Sequence, residues 1–205
     1  MPLIFKRLAL LTSIAATLAS NQAWPAGKDA AKFTPDPAAS YPSHQTGAGL
    51  TIGVAAVVSD DQAEPAFGKH NPYKYGVMPV LVVMQNDSDK AIRVDQLEVL
   101  VEGPDGYKVE ATPARDVRFL VGPRQPSLSP SPPIAKLAKH KNPLDTWEIE
   151  GRAFAAKMLP PGQSASGFFY FQTGYLHGSS LYLSGLREAD SGKELLYFEI
   201  PMSEK

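Results

Sequence analysis

The stretch PVLVVMQNDSDKAIRV, residues 79–94, decides the fold class. Val80, Val82 and Met84 fall on one side of an extended chain and Leu81 and Val83 on the other, so a strand over Val77 to Gln85 is predicted to be buried on both faces. Asn86, Asp87, Ser88 and Asp89 follow with turn chemistry, and Ile92 and Val94 resume the alternation, which predicts a β-hairpin. The apolar positions then switch from even (92, 94) to odd at Leu97, Val99 and Val101. A pleated strand cannot change face without an extra residue, so a bend is predicted near Asp95 and Gln96.

Working outward toward the N-terminus, Leu50, Ile52 and Val54 alternate with Thr51 and Gly53, and the run closes on Val57 and Val58, as a strand would. Ser59 has the chemistry of a helix N-cap, with Asp60 and Asp61 placed to favour the dipole, while Pro65 and Gly68 limit that helix to a turn or two. Toward the C-terminus, Gly103 to Gly106 form a tight turn into Tyr107, Val109 and Ala111. In Ala165 to Gln172, Phe168 and Tyr170 point one way and Phe169 and Phe171 the other; Leu181 to Leu183 and Leu195 to Ile200 supply two more strands. Strands do not alternate with helices, so the expected fold is mainly all-β: an antiparallel, immunoglobulin-like sandwich of about seven strands with a helix-containing insertion.

The insertion spans 114–161. Between Asp116 and Asp145 there is no acid, six prolines and five basic residues: Arg118, Arg124, Lys136, Lys139 and Lys141. Proline lacks the donor that helices and central strands need, so extended backbone is predicted over Pro123 to Pro133. A helix is expected next, with Asp145 as N-cap, Glu148 completing a capping box, Leu144 stapled against Ile149, and Trp147, Gly151, Phe154 and Met158 on one face.

Lys6 and Arg7 precede an uncharged run of 12 residues from Leu8 to Ala19, followed by small and polar residues; this is the layout of a secretory signal peptide over residues 1–23. The run falls short of the ~20 apolar residues of a spanning helix, so no membrane span is expected after its removal. Residues 24–46, rich in Ala, Pro, Ser and Lys, are expected to be a flexible linker, and residues 47–205 the sandwich domain. Losing the leader removes two of 20 basic residues and none of 21 acids, shifting the net charge from −1 to −3, a balance that argues against nucleic acid as a partner. The chain has no cysteine, which excludes disulfides, thiolate metal sites and lipid attachment at the cleavage site. A periplasmic or extracellular location, in a bacterial host, is the expectation.

The segments at Pro79 to Val94 and at Leu159 to Phe171 (LPPGQSASGFFYF) resemble a broad group of secreted bacterial immunoglobulin-like domains, in which an early strand passes through a polar turn to its partner and a late strand follows a proline–glycine turn. The run from Asn142 to Phe171 is similar to uncharacterised exported proteins of environmental bacteria. That resemblance implies a β-sandwich of the adhesive, binding or structural kind and implies no activity.

No motif specifies catalysis or a cofactor. His44, His70, His140 and His177 have no metal-ligand spacing and read as surface histidines. A nucleophile elbow requires a glycine two residues on each side of the serine, but Ser164 has Ser166 at plus two, and its segment leads from helix into strand. Asp87, Ser88, Asp89, Glu98 and Asp105 could offer oxygens to calcium, but they match no EF-hand loop and suit turn formation equally. Two contact surfaces remain. In GKHNPYKYG, residues 68–76, Tyr73 and Tyr75 stand beside basic residues and would serve either as a contact surface or as a lid over the core. Arg124, Lys136, Lys139 and Lys141 would meet an acidic protein or an anionic envelope polymer. The expected role is thus a noncatalytic binding or assembly module, with a carbohydrate-binding or carbohydrate-cleaving domain as the alternative. The alternative requires exposed rings such as Tyr170, Tyr175 and Tyr182, and for cleavage two carboxyls facing each other across an open cleft.

Overall fold

The structure, a computed structural model, describes residues 33–120 and 142–203. In chain order the elements are β1 (Ser43–Gly47), β2 (Leu50–Ala56), α1 (Asp60–Phe67), β3 (Met78–Asn86), β4 (Ile92–Arg93), β5 (Glu98–Glu102), β6 (Lys108–Glu110), α2 (Ala114–Val117), α3 (Trp147–Gly151), β7 (Met158–Leu159), β8 (Ser164–Phe171), β9 (Ser180–Ser184), β10 (Arg187–Glu188) and β11 (Phe198–Pro201), with 3-10 turns at Ala38–Ser40 and Pro72–Tyr75. The strands form three sheets in the orders β1-β2-β3-β8, β10-β4-β7 and β11-β9-β5-β6. Every strand pairing is antiparallel, and the fold is an antiparallel β-sandwich.

β3 is the spine, and its alternation sorts two cores. Met78, Val80, Val82 and Met84 pack with Leu50, Ile52 and Val54 of β2 against Ile92, Val99, Val101, Leu181, Leu183, Phe198 and Ile200 of the other two sheets. Leu81 and Val83 face the other way and meet Phe67 of α1, Val117 of α2, Ile149 of α3, and Phe168 and Tyr170 of β8. β8 divides its rings as expected, since Phe171 joins the first core. α1 carries the expected cap: Gln62 N–H donates to Ser59 Oγ at 3.3 Å and Ser59 N–H to Gln62 Oε1 at 3.1 Å, and the helix stops at Gly68.

Several expectations are corrected. Residues 86–92 do not close a hairpin, because both edges of β3 are occupied, by β2 along 50–56 and by β8 along 164–171. Ile92 instead crosses to the facing layer and pairs with Leu159 and Glu188. Asn86, fully buried, fastens this corner: its Nδ2 donates to the carbonyls of Lys90 (2.7 Å) and Leu159 (2.9 Å), and its Oδ1 accepts from Ser88 N–H (3.1 Å). The bend near Asp95 is present, as the chain passes from β4 in the three-stranded sheet to β5 in the β11-β9-β5-β6 sheet.

The linker over 24–46 is corrected for its described part. The packed unit begins at Phe33. Ala38 and Tyr41 are buried, and Ser43–Gly47 is the outer strand of the β1-β2-β3-β8 sheet. Gly53 makes this possible, because a Cβ there would run into the Ala38 carbonyl and the Tyr41 ring. Residues 1–32, and with them the signal peptide and the rest of the linker, lie outside the described residues.

The insertion helix is one turn long, not a helix reaching Met158. Thr146 occupies the N-cap without a side-chain bond, so the capping box of Asp145 and Glu148 is absent. The free edge of β8 claims the following residues: Phe168 N–H donates to the Arg152 carbonyl (2.9 Å) and Phe154 N–H to the Phe168 carbonyl (3.1 Å). Gly167 permits that approach, since any Cβ would strike the Phe154 backbone. Met158 then enters a strand.

Candidate functional site

The two ends of the described insertion meet at one point. Asn142 Nδ2 donates to the Arg118 carbonyl at 2.6 Å, Arg118 Nη1 lies 3.3 Å from Asp145 Oδ1, and the Arg118 guanidinium also pairs with Glu150. Asp145 therefore serves an ion pair and not a helix cap. Beneath this clasp, Val117, Leu144 and Ile149 are buried in the second core, and the Tyr170 hydroxyl donates to the Ile149 carbonyl at 2.8 Å. Burial pushes the Tyr170 phenol well above its ordinary pKa, with Arg152 opposing the shift, so it stays a neutral donor.

Above the clasp stand exposed aromatics. Phe119 is 74% exposed and Trp147 62%. The Arg118 guanidinium lies 5.9 Å from the Phe119 ring centre, and that of Arg152 sits between Trp147 (5.7 Å) and Phe33 (5.3 Å). Arg124, Lys136, Lys139 and Lys141, which follow from this base in sequence, lie outside the described residues.

Tyr73 and Tyr75 diverge in surroundings. Asn71 caps their 3-10 turn, its Oδ1 accepting from Tyr73 N–H at 3.0 Å while its Nδ2 donates to Asp60 at 3.0 Å. Lys74 pairs with Asp60 at 2.5 Å, and these two bonds hold the Asp60 carboxyl below its ordinary range. Tyr73 packs against the first core and its hydroxyl accepts from Tyr175 N–H at 3.1 Å, whereas Tyr75 is 44% exposed.

An open cleft of about 450 Å³ lies between β5–β6 and the 153–154 segment beside β8. Phe154 and Phe169 stack in it with ring centres 5.3 Å apart. Its two carboxylates, Glu98 and Glu110, both belong to one sheet, on neighbouring strands, while the opposite wall is Ala153, Phe154, Phe168, Phe169 and Tyr170. Opposed carboxyls, the geometry glycoside cleavage needs, are not formed there. Among the rings required by the carbohydrate alternative, Tyr170 is 1% exposed, because its ring fills the second core. Tyr175 is partly buried and donates to the Met202 carbonyl at 3.0 Å.

The remaining candidates are dispersed. His44 contacts the Tyr41 carbonyl at 2.6 Å through Nδ1, and His140 lies outside the described residues. Among the described residues no group of three or more histidine or carboxylate side chains could hold a metal. Ser164 opens β8 opposite Gln85, and Asp87 Oδ1 accepts from Gln85 Nε2 at 2.8 Å. No helix among the described residues is long and apolar enough to cross a membrane.

No protein-family model matches the chain, and no curated protein matches it. Looser likenesses exist among solved structures. A functionally unknown protein from Listeria monocytogenes shares 14% identity, the match covering 79% of this chain and 82% of that one at a TM-score of 0.35. A secreted protein from Mycobacterium tuberculosis, MPT63, shares 12% identity over 76% of this chain and 89% of its own, at a TM-score of 0.29. An uncharacterised β-sandwich protein from Clostridium difficile shares 10% over 78% and 90%, at a TM-score of 0.30. The β-sandwich assignment itself rests on the strand pairings described above.

Proposed function

We propose that the protein is an exported, noncatalytic binding or assembly module of the bacterial envelope, of the immunoglobulin-like kind its sequence resembles. Its main contact surface is the basic, proline-rich insertion, and its partner is an acidic protein or an anionic envelope polymer. The observation that supports this reading is the clasp of Arg118, Asn142, Asp145 and Glu150. It joins Arg118 and Asn142, which flank Arg124, Lys136, Lys139 and Lys141 in sequence, and two exposed rings, Phe119 and Trp147, belong to the same described ends. Large, rigid rings beside cations give contact area at low entropic cost. The Tyr75 ring is a second contact surface in this proposal.

Polyglutamate beads are the probe for the anionic partner. The chain without residues 1–23 is expected to be retained at low ionic strength and released at about 1 M salt, where charges are screened within ~3 Å. Deleting Pro123 to Lys141 is expected to abolish retention while leaving the circular dichroism spectrum of a β protein intact. Unchanged retention in the deletion variant would overturn the assignment of the surface. Fractionation of bacteria expressing the full chain tests export, and recovery of the unprocessed form in the cytosol would overturn that part.

A further inference from the structure

The β11-β9-β5-β6 sheet turns one face to the first core through Leu181, Leu183, Val99, Val101, Phe198 and Ile200. The alternate residues point away from it. Register sets Glu199, Tyr182, Leu100 and Glu110 in one row across the four strands, with Glu98 and Glu102 on either side of Leu100 along β5. At ~4.8 Å per strand the row is about 14 Å wide. Tyr197, 60% exposed, stacks on Tyr182 with ring centres 5.8 Å apart. The face thus has an apolar centre of Tyr182, Tyr197 and Leu100 inside a rim of four carboxylates.

One cation stands among the outward positions of these strands, and it shows the chemistry the face accepts. Lys108 Nζ is 3.1 Å from a Glu102 oxygen and 5.6 Å from the centre of the Tyr182 ring. An ammonium is held there by a carboxylate and by the negative face of an aromatic ring.

We propose that this face receives the basic segment, Arg124 to Lys141, of a second copy of the chain. The inference rests on the reading of that segment as a contact surface and names its partner. Charge complementarity selects the occupant: the stretch between Asp116 and Asp145 has no acid to be repelled by Glu98, Glu102, Glu110 and Glu199. Position selects a second copy. The clasp at Arg118 and Asn142 stands over the second core, on one side of the β1-β2-β3-β8 sheet, whereas the row of Glu199, Tyr182 and Leu100 belongs to the layer on its other side and nears the clasp's side only along the cleft where Glu98 and Glu110 approach Ala114 and Ala153. Donor and acceptor surfaces on opposite sides produce a head-to-tail contact, which builds chains or rings and not two-fold dimers.

Sedimentation velocity on the chain lacking residues 1–23 tests this at about 0.01 M and about 1 M salt, where charges reach ~30 Å and ~3 Å respectively. At low salt, species larger than a dimer should grow with protein concentration, and high salt should dissolve them. Glu110→Lys with Glu199→Lys should weaken association at least roughly tenfold, as should Lys136→Glu with Lys139→Glu and Lys141→Glu. Mixing the two reversed proteins should restore assembly. All five positions are surface charges in this reading, and unchanged thermal melting of each variant confirms the fold. A monomer at every concentration in low salt overturns the proposal, as does association that ignores both reversals. So does a compact monomer whose shape depends on the same charges, because the segment then sits on its own chain. If the protein stays monomeric while polyglutamate retention still requires residues 123–141, the binding function stands and this partner falls.

Discussion

The two faces of β3 see different worlds. Met78, Val80, Val82 and Met84 meet other strands, whose own aliphatic alternation answers theirs. Leu81 and Val83 meet a cover assembled from distant pieces: a turn near Ala38, α1, α2 and the single turn of α3. The first core is mostly aliphatic and regular, with Phe171 and Phe198 its buried rings; the second is filled by large rings, with Phe67 and Phe168 at 4.8 Å and Phe168 tilted over Phe33 at 5.5 Å. Regular layers can be specified by a period of two, but an irregular cover needs bulky rings of the right shape to close the space. The insertion clasp stands on the second core, so the candidate contact surface depends on the less regular of the two.

The largest expected effect follows directly. Phe168→Ala removes the ring that touches three others of the second core, and should cost ~3–5 kcal/mol, read as a lower denaturant midpoint. Hydrogen exchange should locate the damage: amides of α1 and α3 lose protection first, and those of β9 and β5 last. Equal loss everywhere would mean that the two cores form one cooperative unit, and the contrast between them would be structural only.

A smaller effect is expected where the layers are joined. Asn86→Ala leaves the Leu159 carbonyl and the Ser88 amide without their side-chain partner in a buried corner, and leaves the Lys90 carbonyl only its bond from Ser88 Oγ. Unmade bonds of this kind cost ~1–3 kcal/mol. Chemical unfolding should show a loss smaller than that of Phe168→Ala. A change within experimental error would mean water replaces the amide, and that the crossing is fixed by the occupied edges of β3 alone.

The same contrast explains what could be read from the sequence. Alternation found β2, β3, β5, β8 and β9, because each buries at least one full face, and the parity change at Asp95 found the passage between the β10-β4-β7 and β11-β9-β5-β6 sheets. It missed β1, whose SHQTG has no apolar alternation because it is an edge strand with a largely uncovered face. It missed β7 and β10, two residues each, which are too short to carry a period. Residues 86–94 were misread because turn chemistry reports that the chain reverses, not which strand it rejoins. The helix at Asp145 was overread for a related reason: local capping signals yielded to an edge of β8 that needed Arg152 and Phe154, and to Arg118 competing for the Asp145 carboxylate. Of the site, the basic charge of the insertion was legible, while its clasp depends on residues 24 apart in sequence, Arg118 and Asn142, whose meeting no local pattern encodes. The acidic sheet face was equally hidden, since it exists only once the register of four strands is set.

The smallest effect belongs to the ion pair at the far end of the regular side. Lys90 Nζ lies 2.6 Å from Glu188 Oε2, tying β10 to the entry of β4, and Ser191 Oγ donates to the same carboxylate at 2.6 Å. These bonds, that of Lys90 first, hold the Glu188 carboxyl below its ordinary value, and Glu188 in turn raises the Lys90 ammonium above its own. A depressed carboxyl contributes in full above its unfolded pKa of about 4.3 and loses that contribution as pH falls through the folded value. A raised ammonium contributes in full below its unfolded pKa of about 10.4 and loses it as pH rises through the folded one. Lys90→Met should therefore lower the melting temperature by a constant small amount between about pH 5 and about pH 10, and the gap from the unsubstituted chain should narrow outside that window on both sides. Melting curves across pH check this. A gap that stays unchanged however far the pH falls below the window would assign the loss to packing of the lysine stem and remove electrostatics from the joint between β4 and β10.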